Sequence, residues 1–159
     1  MRRREFIGLL GSAAAPWPLS AHAADDPKES NQEGQNMSIE RYELTPSIPG
    51  IPRISWAVVH GGIAYISGVT ANPGKLGDVK DQTRQITARI DALLEKAGTD
   101  KSKLLTAQVW LTDMRLFADH NEAWNEWVDS KNPPARACLV SPQLWQPGML
   151  VEIMVTAAK

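Results

Sequence analysis

The chain has 159 residues, of which 43% are hydrophobic and 22% charged, and this length and composition predict one globular domain. Lysine and arginine number 17 against 18 aspartates and glutamates, a balance that argues against a protein binding the phosphates of nucleic acid. The lone cysteine, Cys138, excludes an internal disulfide and a cysteine-rich zinc site. No apolar run reaches the roughly 18 residues that a membrane-spanning helix needs.

The first 23 residues have the pattern of an export signal. Arg3 and Arg4 begin a stretch similar to the twin-arginine sequence R-R-x-F-L, a short Ala- and Gly-rich segment follows, and residues 21–23 form an A-x-A cleavage site. We therefore predict a cleaved twin-arginine-type signal peptide and a periplasmic protein; the alternative is a disordered basic tail. Cleavage would remove three arginines and one glutamate, leaving a mildly acidic chain with no membrane attachment.

The next segment, residues 24–36, contains no large apolar side chain. Such a segment cannot bury enough surface to offset the entropy lost on ordering, so we predict a flexible tether. The folded domain is expected over residues 37–159.

Apolar patterning along this domain predicts six strands and two helices. The strands are expected at 38–44, 55–60, 63–67, 105–112, 135–140 and 151–157, and the helices at 78–97 and 117–128. Gly61 and Gly62 separate the second and third strands and favour a hairpin. The order βββ-α-β-α-ββ indicates an α+β sandwich in which the two helices cover one face of the sheet.

The uncovered face of this sheet predicts a subunit contact. Alternation over 105–112 places Leu105 and the other odd-numbered residues towards the core and Trp110 on the polar side. Arg136 and Cys138 share one side of the strand 135–140. A tryptophan on an otherwise solvated face is typical of a contact between subunits, so we expect a homo-oligomer.

Several chemically versatile side chains have a structural interpretation. His60 and His120 have no second ligand at metal spacing, so we interpret them as surface or capping residues and predict no metal site. Cys138 has no base near it in sequence and is expected to be a small packed side chain. The helical spacing of Trp124 and Trp127 favours core positions over a ligand platform.

Arg136 and Glu152 are the remaining candidates, because each places one charge inside an apolar strand. A desolvated charge needs a partner, and one interpretation is a structural ion pair between them if their strands are neighbours. The other is a site for a small carboxylate ligand. Arg136 can bind a carboxylate through two parallel hydrogen bonds, and Glu152 can orient or deprotonate a water beside it.

The sequence around these residues resembles the RidA (YjgF/YER057c/UK114) family over residues 38–159. The similar segments are Ala57-Val58-Val59, Tyr65-Ile66-Ser67-Gly68, residues 117–124, Pro134-Ala135-Arg136-Ala137-Cys138 and Val151-Glu152-Ile153. The last two, P-A-R followed by V-E-I, are close to the family signature.

The resemblance implies a chorismate-mutase-like α+β fold with a mixed sheet, and a homotrimer whose clefts lie between subunits. It implies a deaminase that hydrolyses enamines and 2-imino acids, such as 2-iminopropanoate, to 2-keto acids and ammonia without metal or cofactor. One alternative is a trimer that binds a small carboxylate without turnover. Another is a ribonuclease or translation inhibitor, which the acidic charge of the mature chain disfavours.

The resemblance also implies roles for individual residues. Arg136 would bind the substrate carboxylate and Glu152 would position the hydrolytic water. The other residues implied at the substrate are Ser67, Gly68, Asn121 and Cys138.

This chain departs from the family pattern at the edges of the implied cleft. Ile54 stands where the best-studied branch has a tyrosine, with Trp56 two residues on. Pro142 replaces a small or basic residue, and the loop that follows brings in Trp145. These differences leave the choice of substrate open.

Overall fold

A computed structural model describes residues 38–159, so the predicted export signal and tether lie outside the described residues. The elements in this range are β1 (Glu40–Leu44), β2 (Ser55–His60), β3 (Ile63–Thr70), α1 (Val79–Lys96), β4 (Leu104–Leu111), α2 (Phe117–Trp127), β5 (Ala135–Val140) and β6 (Val151–Ala158). Their order confirms the predicted βββ-α-β-α-ββ arrangement. Neither helix is long and apolar enough to cross a membrane.

The strands form one mixed sheet in the order β1-β2-β3-β6-β4-β5. β4 and β5 are parallel because α2 connects them as a crossover, whereas the other neighbouring strands are antiparallel. This topology puts β6 in the middle of the sheet and β5 at one edge. The two strands that carry Glu152 and Arg136 are therefore both neighbours of β4 but not of each other.

The helices cover one face of the sheet, as predicted. α1 packs on β3, β6 and β2, and α2 packs beside α1. Ile86, Ile90, Leu93 and Leu94 of α1 are fully buried at helical spacing, and each such side chain contributes about 1.5–3 kcal/mol through burial. The Asp78 side chain caps the start of α1 by accepting a hydrogen bond from the Asp81 backbone N–H at 2.9 Å.

β3 contains a β-bulge that the sequence analysis did not predict. Its register with β6 shifts between Ile66 and Val69, so Ser67 and Gly68 lie at the irregularity. The strand then continues to Thr70 instead of ending near residue 67. Bulges bend a strand and re-aim its side chains, and this one does so directly opposite β6.

A second register shift corrects the predicted orientation of Leu105. The pairing of β4 with β6 shifts between Leu104 and Thr106, so Leu104 takes the core position and Leu105 is 43% exposed. Simple alternation cannot anticipate an inserted residue, because every side chain beyond it changes face. Beyond the shift the prediction is correct, with Ala107 buried and Trp110 on the opposite side.

Candidate functional site

Arg136 lies on the helix-covered side of the edge strand β5. It aligns with Ala107 of β4, which points into the core, so the arginine reaches towards α2. Its guanidinium carbon lies 4.8 Å from the Trp124 ring centroid and 6.0 Å from that of Phe117, within the range of cation–π contacts. Burial lowers the pKa of Arg136, although a guanidinium remains charged at any physiological pH.

His120 of α2 is the direct partner of this arginine. The histidine is fully buried, and its Nε2 lies 2.7 Å from a terminal nitrogen of Arg136. The prediction of a surface or capping histidine is therefore wrong. A signal was present in the sequence: His120, Ala123, Trp124 and Trp127 repeat at i, i+3, i+4 and i+7, which is the spacing of a buried helix face.

The hydrogen bonds of His120 define its tautomer. Burial, followed by the positive charge of Arg136, lowers the pKa of His120 to about 4, so the ring is neutral at pH 7. Nε2 accepts from Arg136, because a guanidinium can only donate, and Nδ1 therefore carries the proton. Nδ1 donates to Thr83 Oγ1 at 2.9 Å, and Thr83 in turn donates to the Val79 carbonyl at 2.7 Å.

Two polar atoms beside this network have no hydrogen-bond partner among residues 38–159. The Nε atom of Arg136 and the Oδ1 atom of Asn121 are both buried without a hydrogen bond. Asn121 follows His120 and lies one turn from Phe117 and Trp124, so it lies on the side of α2 that contacts Arg136. Leaving a buried polar group unpaired costs about 1–3 kcal/mol, so both atoms are available to a water molecule or a ligand.

Cys138 lies two residues beyond Arg136 and faces the same way. It is half-buried, aligns with Val109 of β4 and packs against the core. Burial raises the pKa of the Cys138 thiol, an effect that the Arg136 charge only partly offsets. A protonated, packed thiol is a poor nucleophile, so the structure agrees with the interpretation of a small packed side chain. We call Arg136, Asn121 and Cys138 the arginine half-site.

Glu152 lies on the other face of the sheet, in the central strand β6. It aligns with Trp110 of β4 and Thr70 of β3, on the side that the helices leave open. The carboxyl group is half-buried, and burial raises its pKa above the ordinary value. Within residues 38–159 no hydrogen bond or opposite charge offsets this cost.

The bulge in β3 brings Ser67 and Gly68 to Glu152. A Cβ atom added at Gly68 would overlap Oε1 of Glu152 and lie 3.1 Å from its Cδ, so the carboxylate occupies the space that glycine leaves free. Ser67 is half-buried and precedes this contact directly. The predicted residues Ser67, Gly68 and Glu152 therefore form a second cluster, which we call the glutamate half-site.

The two half-sites are separate in the chain. Arg136 faces the helices and Glu152 faces away from them, with β4 between their strands. The proposed structural ion pair between the two residues is therefore wrong. Within residues 38–159 each half-site also has groups without a partner. These are the Arg136 Nε and Asn121 Oδ1 atoms in the arginine half-site and the Glu152 carboxylate in the glutamate half-site.

A pocket of about 360 Å³ lies between the end of β3 and α1. Its walls include Trp56, Arg89, Trp145 and Thr70, the residue of β3 that aligns with Glu152. The indole N–H of Trp145 donates to Thr70 Oγ1 at 3.1 Å. The two tryptophans at which the chain departs from the family pattern, Trp56 and Trp145, thus line one pocket.

The described residues offer no evident metal site. No group of three or more His, Cys, Asp or Glu side chains within residues 38–159 is arranged to hold a metal ion. Both ring nitrogens of His120 are engaged in hydrogen bonds. Arg136 and Glu152 are half-buried charged side chains that have no partner of opposite charge among residues 38–159.

The sequence of this chain is similar to a protein family model and to several known proteins. The family model described as Endoribonuclease L-PSP matches residues 47–159. A RutC family protein of Haemophilus influenzae is 40% identical over 121 residues, which cover 76% of this chain and 98% of that protein. The RutC family protein YoaB of Escherichia coli is 41% identical over 106 residues, covering 67% of this chain and 90% of YoaB.

A solved structure is similar in both fold and sequence. It is that of a member of the YjgF protein family from Neisseria meningitidis. The TM-score is 0.70 and the sequence identity 34%, and the alignment covers 79% of this chain and 98% of the Neisseria chain. The predicted α+β fold is therefore shared with a solved relative.

Proposed function

The chain belongs to the endoribonuclease L-PSP family, which includes the YjgF/RidA proteins, and we propose that it is a hydrolase of reactive 2-imino acids. The products are a 2-keto acid and ammonia, and no cofactor takes part. The observation that carries this proposal is Arg136, a half-buried arginine whose buried Nε donor is unpaired and which has no carboxylate partner in the described part of the chain. Such a group is a binding site for an anion.

The arginine half-site binds the carboxylate of the substrate. Arg136 offers donors that the carboxylate oxygens accept, and the unpaired amide oxygen of Asn121 beside it can accept a hydrogen bond from a substrate N–H. The Trp124 and Phe117 rings restrict water around the guanidinium, which strengthens a charged hydrogen bond. A 2-imino acid carries its carboxylate next to the reacting carbon, so binding this group also fixes the position of the C=N bond.

Glu152 acts on the water. The carboxylate accepts a proton from a water molecule as the water oxygen forms a bond to the carbon of the protonated imine, giving a neutral tetrahedral carbinolamine. Glu152 then gives this proton to the nitrogen, the C–N bond breaks and ammonia leaves. As the C=O bond forms, the hydroxyl proton passes to the Glu152 carboxylate, and Glu152 then releases it to the ammonia or to solvent. The raised pKa of Glu152 supports this role, because a carboxylate that holds its proton more tightly is a better base.

A trimer would bring the two half-sites together. Arg136 and Glu152 lie on opposite faces of one sheet, so a cleft that uses both needs Arg136 from one subunit and Glu152 from the next. The open face supports association, because Tyr65 and Leu139 are 47% and 54% exposed there and Trp110 is half-buried. A homotrimer with three equivalent clefts meets this requirement with closed symmetry.

The compartment proposed for this activity is the periplasm. Its support is the twin-arginine-type sequence at Arg3-Arg4 together with the A-x-A site at 21–23. An exported deaminase needs a source of imines outside the cytoplasm, such as an amino-acid or amine oxidase. Cell fractionation with amino-terminal sequencing checks this, and an uncleaved protein confined to the cytosol would contradict it.

A binding protein without turnover is the second candidate. It is favoured by the arginine half-site, which would hold a carboxylate whether or not Glu152 acts. Replacing Glu152 by Gln separates the two functions, because it removes turnover from an enzyme but spares the affinity of a binding protein. The family model's description also names an endoribonuclease, so RNA cleavage by the same preparation is the third arm of the comparison.

The test of the proposed function is imine hydrolysis by the purified chain. Small, branched and aromatic 2-imino acids are generated in situ by an amino-acid oxidase, and the remaining imine is trapped with semicarbazide. The proposal expects less trapped imine with the wild type than with Arg136→Ala. Equal trapping with and without the wild-type protein, across all three kinds of imine, would support the binding protein instead.

A further inference from the structure

We infer that His120 is a positioning residue, which holds the guanidinium of Arg136 in place for carboxylate binding without neutralising its charge. The inference rests on the proposed function, in which Arg136 binds the substrate carboxylate. No motif in the sequence marks His120 for this role, and it follows from the contacts of a side chain that the sequence analysis assigned to the surface.

His120 is itself held rigidly. Its ring is fully buried, and Thr83 of α1 fixes the Nδ1–H end through the bond at 2.9 Å. Thr83 cannot turn away, because its own hydroxyl proton goes to the Val79 carbonyl at 2.7 Å. The chain of bonds runs in one direction from Arg136 through His120 to the backbone of α1. The packed helices α1 and α2 therefore fix the position of Nε2, the atom that accepts the hydrogen bond from Arg136.

Arg136 is held on two sides by neutral groups. Nε2 of His120 accepts from one terminal nitrogen at 2.7 Å, and the Trp124 ring contacts the guanidinium at 4.8 Å. These contacts fix the plane and the rotation of the guanidinium, while its Nε has no partner in residues 38–159. Holding a flexible side chain in its bound geometry improves affinity, because less conformational freedom is lost when the ligand binds.

A neutral histidine differs from a carboxylate in its effect on the charge of Arg136. Buried arginines are commonly held by aspartate or glutamate, but a carboxylate at this position would form an ion pair and compete with the substrate carboxylate. A neutral imidazole accepts the same hydrogen bond and leaves the positive charge unpaired. The low pKa of His120 supports this, because a ring that stays neutral above about pH 5 remains an acceptor.

Three substitutions of His120 separate positioning from simple packing. In His120→Gln the amide can reach the place of Nε2, so the bond to Arg136 is retained and the bond to Thr83 is lost. In His120→Asn the amide reaches only the place of Nδ1, so the bond to Thr83 is retained and the bond to Arg136 is lost. His120→Leu fills the space and makes neither bond. If His120 only fills space, the effects of these substitutions should not depend on whether the bond to Arg136 is retained.

The main readout is affinity for pyruvate, the 2-keto acid product, measured by calorimetry on the full chain, with uncharged pyruvamide as the matched ligand. We expect His120→Gln to bind pyruvate within about 3-fold of the wild type, and His120→Asn and His120→Leu to bind it about 10- to 100-fold more weakly. Pyruvamide binding should change little in all three. In turnover the loss should appear in KM more than in kcat.

A second readout is independent of any substrate. The terminal Nη–H resonance of Arg136 that bonds to residue 120 should exchange slowly with solvent in the wild type and in His120→Gln, and rapidly in His120→Asn. Unchanged pyruvate affinity in His120→Asn and His120→Leu would overturn the inference. So would an equal loss in His120→Gln and His120→Asn, because that pattern marks a packing role.

Failure of the proposed function gives a different pattern. If Arg136→Ala itself leaves pyruvate binding and imine hydrolysis unchanged, the arginine is not the carboxylate site and the proposed function fails. If Arg136→Ala loses binding while the His120 variants do not, only the positioning role fails. Should His120→Leu not fold, the comparison of His120→Gln with His120→Asn still decides the matter.

Discussion

Arg136 and Glu152 point to opposite faces of the same sheet, separated by the strand β4 that pairs with both of theirs. Each residue also lacks a partner of opposite charge within the described range. A site that uses both must therefore be completed by a second copy of the chain. This geometry gives physical support to the intersubunit cleft implied by the resemblance.

Arg136→Lys tests the need for a guanidinium. One ammonium group cannot both donate to His120 and offer a planar pair of donors to a carboxylate, so the charge alone is insufficient. We expect pyruvate affinity and kcat/KM to fall at least about 10-fold, and Arg136→Ala to fall further. Calorimetry and the semicarbazide assay measure both. An unaltered Arg136→Lys would mean that the ligand does not use the guanidinium fork.

Glu152→Gln is expected to lower kcat by about 100-fold or more while pyruvate affinity stays within about 3-fold, since only the proton transfer is lost. The variant should also be more stable at neutral pH. The raised pKa means that the folded state holds the Glu152 proton more tightly than the unfolded state, so stability falls as pH rises above about 4.5 and through the raised value. Glutamine removes this cost.

The matched control for this pair of measurements is Glu126→Gln. Glu126 lies in an exposed salt bridge with Arg84 at 3.2 Å, so its loss should change neither kcat nor the melting temperature appreciably. A Glu152→Gln variant that melts lower than wild type at pH 7, or retains full turnover, would contradict the assignment of Glu152 as an unpaired base.

Gly68→Ala separates activity from folding. The added methyl overlaps only the far end of the Glu152 side chain, and Gly68 does not need a left-handed backbone, so the chain should fold with a displaced carboxylate. We expect kcat to fall at least about 10-fold with a small change in melting temperature. Gly74→Ala is the control, because its Cβ would meet its nearest neighbour, Asn72 Oδ1, at 3.4 Å. Equal activity in the two variants would refute the contact.

The low pKa of His120 predicts acid sensitivity. The unfolded state takes up a proton near pH 6.5 whereas the folded state resists it until about pH 4, so stability is complete above 6.5 and declines between those values. Over this window the wild type should lose up to about 3 kcal/mol relative to His120→Gln. Urea unfolding at several pH values measures the difference, and nitrogen-15 spectra should show the proton on Nδ1. Parallel pH curves for the two proteins would contradict the neutral buried ring.

The sequence was sufficient to predict the order of elements and most of the core. The tryptophans Trp124 and Trp127 are 4% and 9% exposed, as their helical spacing indicated. Both register shifts were missed, because alternation has no means of detecting one inserted residue. As a result the contact between Gly68 and Glu152 could not be derived from periodicity.

The functional site was also only partly predictable from the sequence. Arg136 and Glu152 stood out because charges are rare in apolar strands, but which face each occupies depends on strand order, and that order is set by the whole chain. His120 was misassigned because its partners are Thr83 on α1 and Arg136 on β5. Contacts between elements that are distant in sequence come from the packing of helices on the sheet, and local spacing does not encode them.

Complementation between two inactive variants tests the central claim most directly. Arg136→Ala and Glu152→Gln chains carrying different tags are co-expressed, and mixed oligomers are isolated through both tags. If each cleft takes Arg136 from one subunit and Glu152 from the next, one intact cleft forms in every mixed trimer. The mixture should then hydrolyse imines at roughly one third of the wild-type rate, although each parent is inactive. Mixed oligomers as inactive as their parents would contradict a shared site.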